Sequence, residues 1–360
     1  MINSYKNIVN LDCLRLIKNI SLSKFKNSKV LILGANGFLA SYIQESLNLA
    51  NNLLGLNCKI TSTSLNKPKG MLREMLQKNK NIKFIQSDLN KKNNLLKFKE
   101  KYDFIFHCAT YASPSIFMKN QLETINLNSV VLNFFLDKCK NDNSSLLYIS
   151  SVDVYGHTKN LKRAITEDLP FENFSNLKRS SYGESKRTGE ALCAFYRRNY
   201  KLNIHVVRPA NTYGPGLTIL VKQVIAEFIR KALYDKKILM LDSGSAIKTY
   251  GYISDITEMF LNIIQFGKEM TYNTTGLDNI SIFDLASLIS RKFDNVQVKL
   301  PKKRSKLVHI GSDIDRVIIS SKKYIKEFKK ESFIKIDQGT TNLVNWNIDL
   351  INSKKIKIYK

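Results

Sequence analysis

Val30-Leu31-Ile32-Leu33-Gly34-Ala35-Asn36-Gly37-Phe38-Leu39-Ala40 is the stretch that decides the fold of this chain. Four apolar residues make a short β-type run, the glycines make a tight turn, and Ser41 to Leu49 is helix-compatible. A strand, a glycine loop and a helix in this order can hold a pyrophosphate. Glycine lets the backbone approach the phosphates, and the helix N-terminus offers N–H donors and the positive end of its dipole. The spacing is G-x-x-G-x-x-A, an approximate match to the G-x-G-x-x-G dinucleotide pattern. The same glycines also suit an ordinary tight turn.

Working outward, strand-like runs recur at 29–33, 59–63, 83–87, 103–107, 145–150 and 203–208, separated by helix-compatible segments. Strands alternating with helices predict an α/β fold with a parallel, doubly wound sheet. After Pro215 the pattern is mixed: helix-like 219–234, strand-like 237–241, helix-like 255–266 and 282–293, then a short strand at 296–300. That pattern predicts a smaller lobe closing over a substrate. Ahead of the first strand, Leu11, Leu14, Ile17 and Ile20 are spaced as the inner face of one amphipathic helix. There is no internal repeat.

The second informative stretch is Ser181-Tyr182-Gly183-Glu184-Ser185-Lys186. A Tyr and a Lys four apart on a helix share one face. The ammonium can then draw the phenol's pKa down from about 10 toward the range of a general base. Ser151, which ends an apolar run about thirty residues upstream, can share the substrate's proton with that phenol. Pairs of this kind also occur on solvated helix faces. Their place downstream of a dinucleotide-type loop favours the catalytic reading.

With 360 residues and 43% hydrophobic content the chain can bury a large core, and no run of eighteen apolar residues suggests a membrane span. The N-terminus lacks the apolar block of a signal peptide. Cys13, Cys58, Cys108, Cys139 and Cys193 show no paired spacing, which fits reduced thiols in a cytoplasmic enzyme. The four histidines are dispersed and no metal site is expected. The net charge of +27 would suit an anionic partner, yet the lysines are spread along the chain. They are denser at 299–306, 322–330 and 354–360, without the interleaved aromatics of a nucleic-acid surface. Compositional drift plus steering of an anionic substrate accounts for the charge, and nucleic acid is not an expected partner.

Several ordered motifs together resemble the extended short-chain dehydrogenase/reductases of the NAD-dependent epimerase/dehydratase family. They are GANGFLA at 34–40, Ser87-Asp88-Leu89, His107-Cys108-Ala109, and Ser150-Ser151-Val152-Asp153-Val154-Tyr155-Gly156. YGESK at 182–186, Arg208-Pro209-Ala210-Asn211-Thr212-Tyr213-Gly214-Pro215-Gly216 and Tyr252-Ile253-Ser254-Asp255 follow. Ala-Ser-Pro-Ser at 112–115, with YGESKR, looks most similar to the UDP-glucuronate decarboxylase branch, with dTDP-glucose 4,6-dehydratase next. The resemblance implies a Rossmann-like NAD-binding domain over 29–208 and a smaller mixed α/β substrate lobe over 209–346, interleaved with it. A helical extension occupies 1–28 and a basic tail 347–360. It also implies a homodimer.

The resemblance assigns NAD to Gly34, Asn36, Gly37, Phe38, Leu39, Asp88, Leu89, Ala109 and Asn126, with Tyr182 and Lys186 at the nicotinamide end. Asp88 would meet the adenine; it also suits a helix cap. After the second strand, Thr61 to Lys67 carries no carboxylate, while Lys67 and Lys69 suit either a 2′-phosphate or an ordinary loop. NAD is the expected cofactor, with NADP left open.

On the substrate side the resemblance implies Ser113, Asn211, Lys248 and Arg316, the last two also readable as surface cations. Tyr213 and Tyr252 suit packing. Tyr182 would take the proton of a sugar C4 hydroxyl as hydride leaves C4, with Ser151 orienting the hydroxyl. The 4-keto sugar then meets one of three fates. A glucuronate loses CO2, a glucose loses water across C5 and C6, and an epimerase returns hydride to the opposite face. Dehydratases of the family carry Asp-Glu after the serine, whereas this chain has Val152-Asp153. Valine has no proton for a departing hydroxyl, so UDP-glucuronate decarboxylation leads, ahead of 4-epimerisation and 4,6-dehydration. Asp153 is shorter by about 1.5 Å than the Glu usual in the decarboxylase branch and also suits a loop cap. A different class remains open, an inactive protein of this fold binding RNA or a partner.

Overall fold

The computed structural model describes residues 4–156, 161, 163–170, 180–301 and 316–353. At its centre β1 (Lys29–Leu33), β2 (Lys59–Ser64), β3 (Ile82–Gln86), β4 (Phe104–His107), β5 (Ser145–Ile149) and β6 (Ile204–Pro209) form one sheet. Its order is Thr271–Thr274, β6, β5, β4, β1, β2, β3, and every neighbouring pair is parallel. Both faces carry helices, so the inner strands are buried on both sides and read as unbroken apolar runs, KVLIL in β1 and FIFH in β4. The strand order reverses between β1 and β4, and the crevice at their carboxyl ends is where such sheets take ligands.

All six strands expected before Pro215 are present, each within a residue of its expected bounds, while the expected 237–241 and 296–300 strands are shorter, at Lys237–Leu239 and Gln297–Lys299. The seventh strand of the sheet, Thr271–Thr274, carries a buried asparagine that no hydrophobic pattern would announce. Its polarity is satisfied by tertiary partners. Asn273 Oδ1 accepts from the Tyr155 hydroxyl at 2.7 Å, and Asn273 N–H donates to Glu167 Oε1 at 2.8 Å. That carboxylate closes part of the sheet's open edge.

The Ile253–Phe266 helix is buried from Ile253 through Gln265 and packs against the Phe38–Leu54 helix, β5 and β6. This stretch, with the strand that follows it, returns the chain from the smaller C-terminal lobe to the main sheet. The lobe has a separate apolar core, in which Ile225, Phe228 and Ile229 meet Leu285, Ile289, Leu343 and Trp346. Its small sheet joins Ile247–Tyr252 to Asn211–Tyr213, Asn279–Ser281 and Arg316–Val317. Lys237–Leu239 pairs in parallel with Gln297–Lys299.

Two expectations are corrected. The N-terminal helix, Ser4–Asn19, buries Val9, Cys13, Leu16 and Ile17, while Leu11 is 58% exposed. Polar docking fixes this rotation. Asp12 Oδ2 accepts from the Tyr42 and Tyr252 hydroxyls at 3.1 and 2.8 Å, and Arg15 pairs with Asp255 at 2.7 Å. At the other end, the Ile336–Asn352 helix runs through position 347 and buries Leu350, so no tail begins at 347. Residues 354–360 lie outside the described ones. Among the described residues no helix is long and apolar enough to cross a membrane.

Candidate active site

Two elements meet at the carboxyl ends of β4 and β5. The Ser180–Tyr200 helix carries Tyr182 and Lys186 on one buried face. The turn Val152–Tyr155, leaving β5, starts at Ser151, whose Oγ accepts from Asp153 N–H at 3.1 Å. Arg187 Nε donates to Val154 O at 2.8 Å and ties the helix to that turn. Ser151 stands close enough to the Tyr182 phenol to favour its ionised form. The sequence-predicted group Ser151, Asp153, Tyr182 and Lys186 is thus brought together.

The electrostatics differ from the sequence expectation. Burial pushes the Tyr182 phenol above its ordinary value, the nearby Asp153 carboxylate adds to this, and Ser151 opposes it. The Lys186 ammonium has hydrogen-bond partners other than the phenol. Its Nζ donates to Ile149 O at 2.6 Å and Asn128 Oδ1 at 2.9 Å, and lies 5.9 Å from the Tyr182 ring centre. Burial lowers Lys186 to about 7. Of this pair, the lysine is the member that titrates near neutrality.

Three neighbours of the site escaped the sequence. Asn126, expected at the cofactor, is exposed, whereas Asn128 is fully buried. Asn128 Oδ1 accepts from both Lys186 and the Tyr148 hydroxyl, and its Nδ2 donates to Thr110 and Ser185. Ser113 caps the short helix Pro114–Phe117, which delivers Phe117 onto Tyr182, the rings stacked at 4.9 Å and 14°. Glu190, one turn beyond Lys186, accepts from Ser150 Oγ at 2.6 Å and is forked by Arg208 through Nε and Nη2 at 2.9 and 2.6 Å. The i+4 spacing from Lys186 was the available signal for Glu190.

A dinucleotide fits the crevice above β1. Gly34 has φ +80°, and a Cβ there would sit 2.8 Å from backbone atoms of Cys108 and Ala109, so only glycine allows β1 and β4 to close the cradle. Gly37 is the exposed N-cap of the Phe38–Leu54 helix, whose first N–H groups lack intrahelical acceptors and suit a phosphate. Asn36 spends its side chain on the loop after β2. Phe38 lies edge-on to Tyr42 at 6.3 Å, while Leu39 and Leu89 pack inward. Asp88 Oδ1 accepts from Asn90 N–H at 3.1 Å, as a cap would.

Three of the four substrate-side candidates, Asn211, Lys248 and Arg316, lie on the lobe's small sheet. Asn211 pairs with Tyr250 and donates to Thr249 O at 3.1 Å. Arg316 pairs with Ile247, and Val317 with Lys248. The one-residue offset sends the two cations to opposite faces of the pleat, so they do not form one clamp. Tyr213 and Tyr252 are buried against each other with ring centres 5.6 Å apart.

The sequence profile of the NAD dependent epimerase/dehydratase family matches residues 30–274. The chain is similar to UDP-glucuronic acid decarboxylase 5 of Arabidopsis thaliana, 24% identical over 287 residues, which covers 77% of this chain and 79% of the relative. It is also similar to the dTDP-D-glucose 4,6-dehydratase of Dictyostelium discoideum, 26% identical over 76% of this chain and 57% of that protein. Among solved structures, the fold matches that of UDP-glucuronic acid 4-epimerase from Bacillus cereus, in complex with UDP-glucuronic acid and NAD. The TM-score there is 0.74 at 21% identity, covering 89% of this chain and 99% of that one.

Proposed function

The chain belongs to the NAD dependent epimerase/dehydratase family, and from that premise we propose that it oxidises a nucleotide-activated sugar transiently at C4, with UDP-glucuronate decarboxylation as its reaction. The observation that carries this is the buried helix face that sets Tyr182 one helical turn from the anchored Lys186, tied by Arg187 to the turn that begins at Ser151. NAD, when bound, supplies the hydride acceptor, and its cationic ring favours the phenolate against the burial that opposes it. Tyr182 takes the C4 hydroxyl proton, Ser151 holds that hydroxyl in line, and Lys186 keeps the helix face registered against β5. A glucuronate oxidised at C4 is a β-keto acid: the bond from C5 to the carboxylate breaks without an acid, and its electron pair passes into the enolate. C5 then takes a proton, and the hydride and the proton held by Tyr182 return to C4. Val152, which opens the turn where a dehydratase carries its acid, has no proton to give.

The decarboxylase relatives support this choice. A homodimer in the cytoplasm belongs to the same proposal. Leu122 and Val130 stand 76% and 62% exposed on neighbouring helices and give a second copy something to cover. The five free thiols suit a reducing compartment.

Purified protein supplied with NAD and a panel of nucleotide sugars tests the reaction by mass spectrometry. UDP-glucuronate is expected to yield a product lighter by CO2. A product lighter by water reassigns the protein to dehydration, an unchanged mass with shifted retention to epimerisation, and no turnover of any sugar removes the enzymatic proposal.

The pH dependence follows from the Tyr182–Lys186 pair. The active form has lost one proton from the pair and keeps the other on Lys186, with Tyr182 as phenolate. The first proton leaves the pair as pH passes the value of Lys186, lowered from 10.5 to about 7. Turnover is therefore expected to rise as pH increases through about 7 and to level off above it. A profile flat between about pH 6 and 8 contradicts this origin.

A further inference from the structure

Gln44, in the Phe38–Leu54 helix, is fully buried between the glycine loop and β2. Desolvating an amide is costly unless hydrogen bonds replace its water, and here they do. Gln44 Nε2 donates to Ala35 O at 2.9 Å and to Ala40 O at 3.0 Å, and Gln44 Oε1 accepts from Ser62 Oγ. The bond to Ala40 lies one turn back in the same helix, whereas the bond to Ala35 crosses from the helix to the loop. The loop is also drawn inward by Gly34 and Ala35 N–H, which donate to Thr63 O at 2.9 and 2.8 Å. An apolar side chain at position 44 would pack in the same place and leave the Ala35 carbonyl without this donor.

We propose that Gln44 is a positioning residue for the pyrophosphate of the dinucleotide, acting through the Ala35–Asn36 peptide. That peptide is trans, so its C=O and N–H point in opposite directions. With the carbonyl held inward by Gln44, the Asn36 N–H is turned outward to the crevice. It joins the donors at the start of the helix. The first helical bond there runs from Ser41 N–H to Gly37 O at 2.9 Å, which leaves the N–H groups of Phe38, Leu39 and Ala40 without helical acceptors. The proposal rests on the dinucleotide cleft assigned above and adds what aims one of its donors. Without the amide, the Ala35 carbonyl would turn to water on the crevice side, since a backbone acceptor must be paired, and bring its oxygen toward the phosphates.

Ligands with and without a pyrophosphate separate this role from packing. Gln44→Met keeps the length of the side chain and removes its hydrogen bonds. Nucleotide-free protein is titrated with NAD and ADP-ribose by calorimetry and with adenosine by ligand-observed NMR. NAD and ADP-ribose are expected to bind the variant about tenfold more weakly, the size of a hydrogen bond to a charged group, with adenosine affinity held within a factor of about two. Adding Ser62→Ala removes the hydroxyl that the first exchange strands. The double variant should therefore unfold at a higher temperature than the single one, while ADP-ribose binding stays weak. Should the single variant not fold, the double variant carries the same comparison of ligands. ADP-ribose affinity that returns with stability, or adenosine that weakens as much as ADP-ribose, makes the role of Gln44 structural and overturns the proposal. Undiminished ADP-ribose binding by the variants refutes it and leaves the cleft standing. A parent protein that binds neither NAD nor ADP-ribose removes the cleft and the positioning role together.

Discussion

Tyr182→Phe is expected to lower turnover by roughly 10²- to 10⁴-fold, the usual worth of a positioned general acid–base group, while the KM for the sugar nucleotide moves only a few-fold. The exchange removes one oxygen and little else. The ring keeps its place, stacked on Phe117 at 4.9 Å, and the helix keeps its tie to the turn through Arg187 and Val154. What disappears is the hydroxyl beside Ser151 that is proposed to receive the C4 proton. Because the loss falls on the transition state, kcat and kcat/KM should drop together. Single-turnover measurements of cofactor reduction, read at the absorbance of reduced nicotinamide, place the defect on the oxidation step. A variant that retains more than about a tenth of the parental turnover would show that another group takes this proton, and the proposed chemistry would fail.

The sheet was legible in the sequence because burial on both faces demands continuous apolar runs, and VLIL, FIFH and LLYI are such runs. The Thr271–Thr274 strand was not, since its asparagine is buried by hydrogen bonds to Tyr155 and to the carbonyls of Ile165 and Ser320. Those partners are more than forty positions away, and no local pattern encodes them. The N-terminal helix misled for a related reason. An apolar stripe was visible, but Asp12 and Arg15, bonded to Tyr42, Tyr252 and Asp255, set which face turns inward. At the site, Tyr182, Lys186 and Ser151 were legible from spacing. Asn126 and Asn128 differ by more than half a helical turn, and only packing decides which of them meets Lys186. The shift of the phenol also ran opposite to the expectation. Counting charges along a helix omits the water that folding removes, and here that loss is the largest cause.

Arg208→Met is expected to cost about 3–5 kcal/mol of stability, the size found when one partner of a buried ion pair is removed. The side chains of Arg208 and Glu190 are 6% and 7% exposed, and their fork spans β6 and the helix that carries Tyr182. Without the guanidinium, buried Glu190 keeps Ser150 Oγ as its donor among the described residues. Tyr155 loses the Arg208 Nη1 donor that reaches its hydroxyl at 2.8 Å. Thermal unfolding should fall on the order of 10 °C. Adding Glu190→Gln removes the stranded charge, so the double variant should recover more than half of that loss, since a neutral, packed replacement of a buried pair is often tolerated. Its catalysis should not recover in parallel. Ser150 adjoins Ser151, and Glu190 sits two turns from Tyr182 on one helix, so the pair registers the turn against the phenol. A displacement of about 1 Å there can cost 10²-fold in rate. The double variant is therefore expected to be folded yet slow, with KM little changed. A single variant as stable as the parent would mean that water reaches Glu190, and a double variant at full turnover would confine the pair to stability.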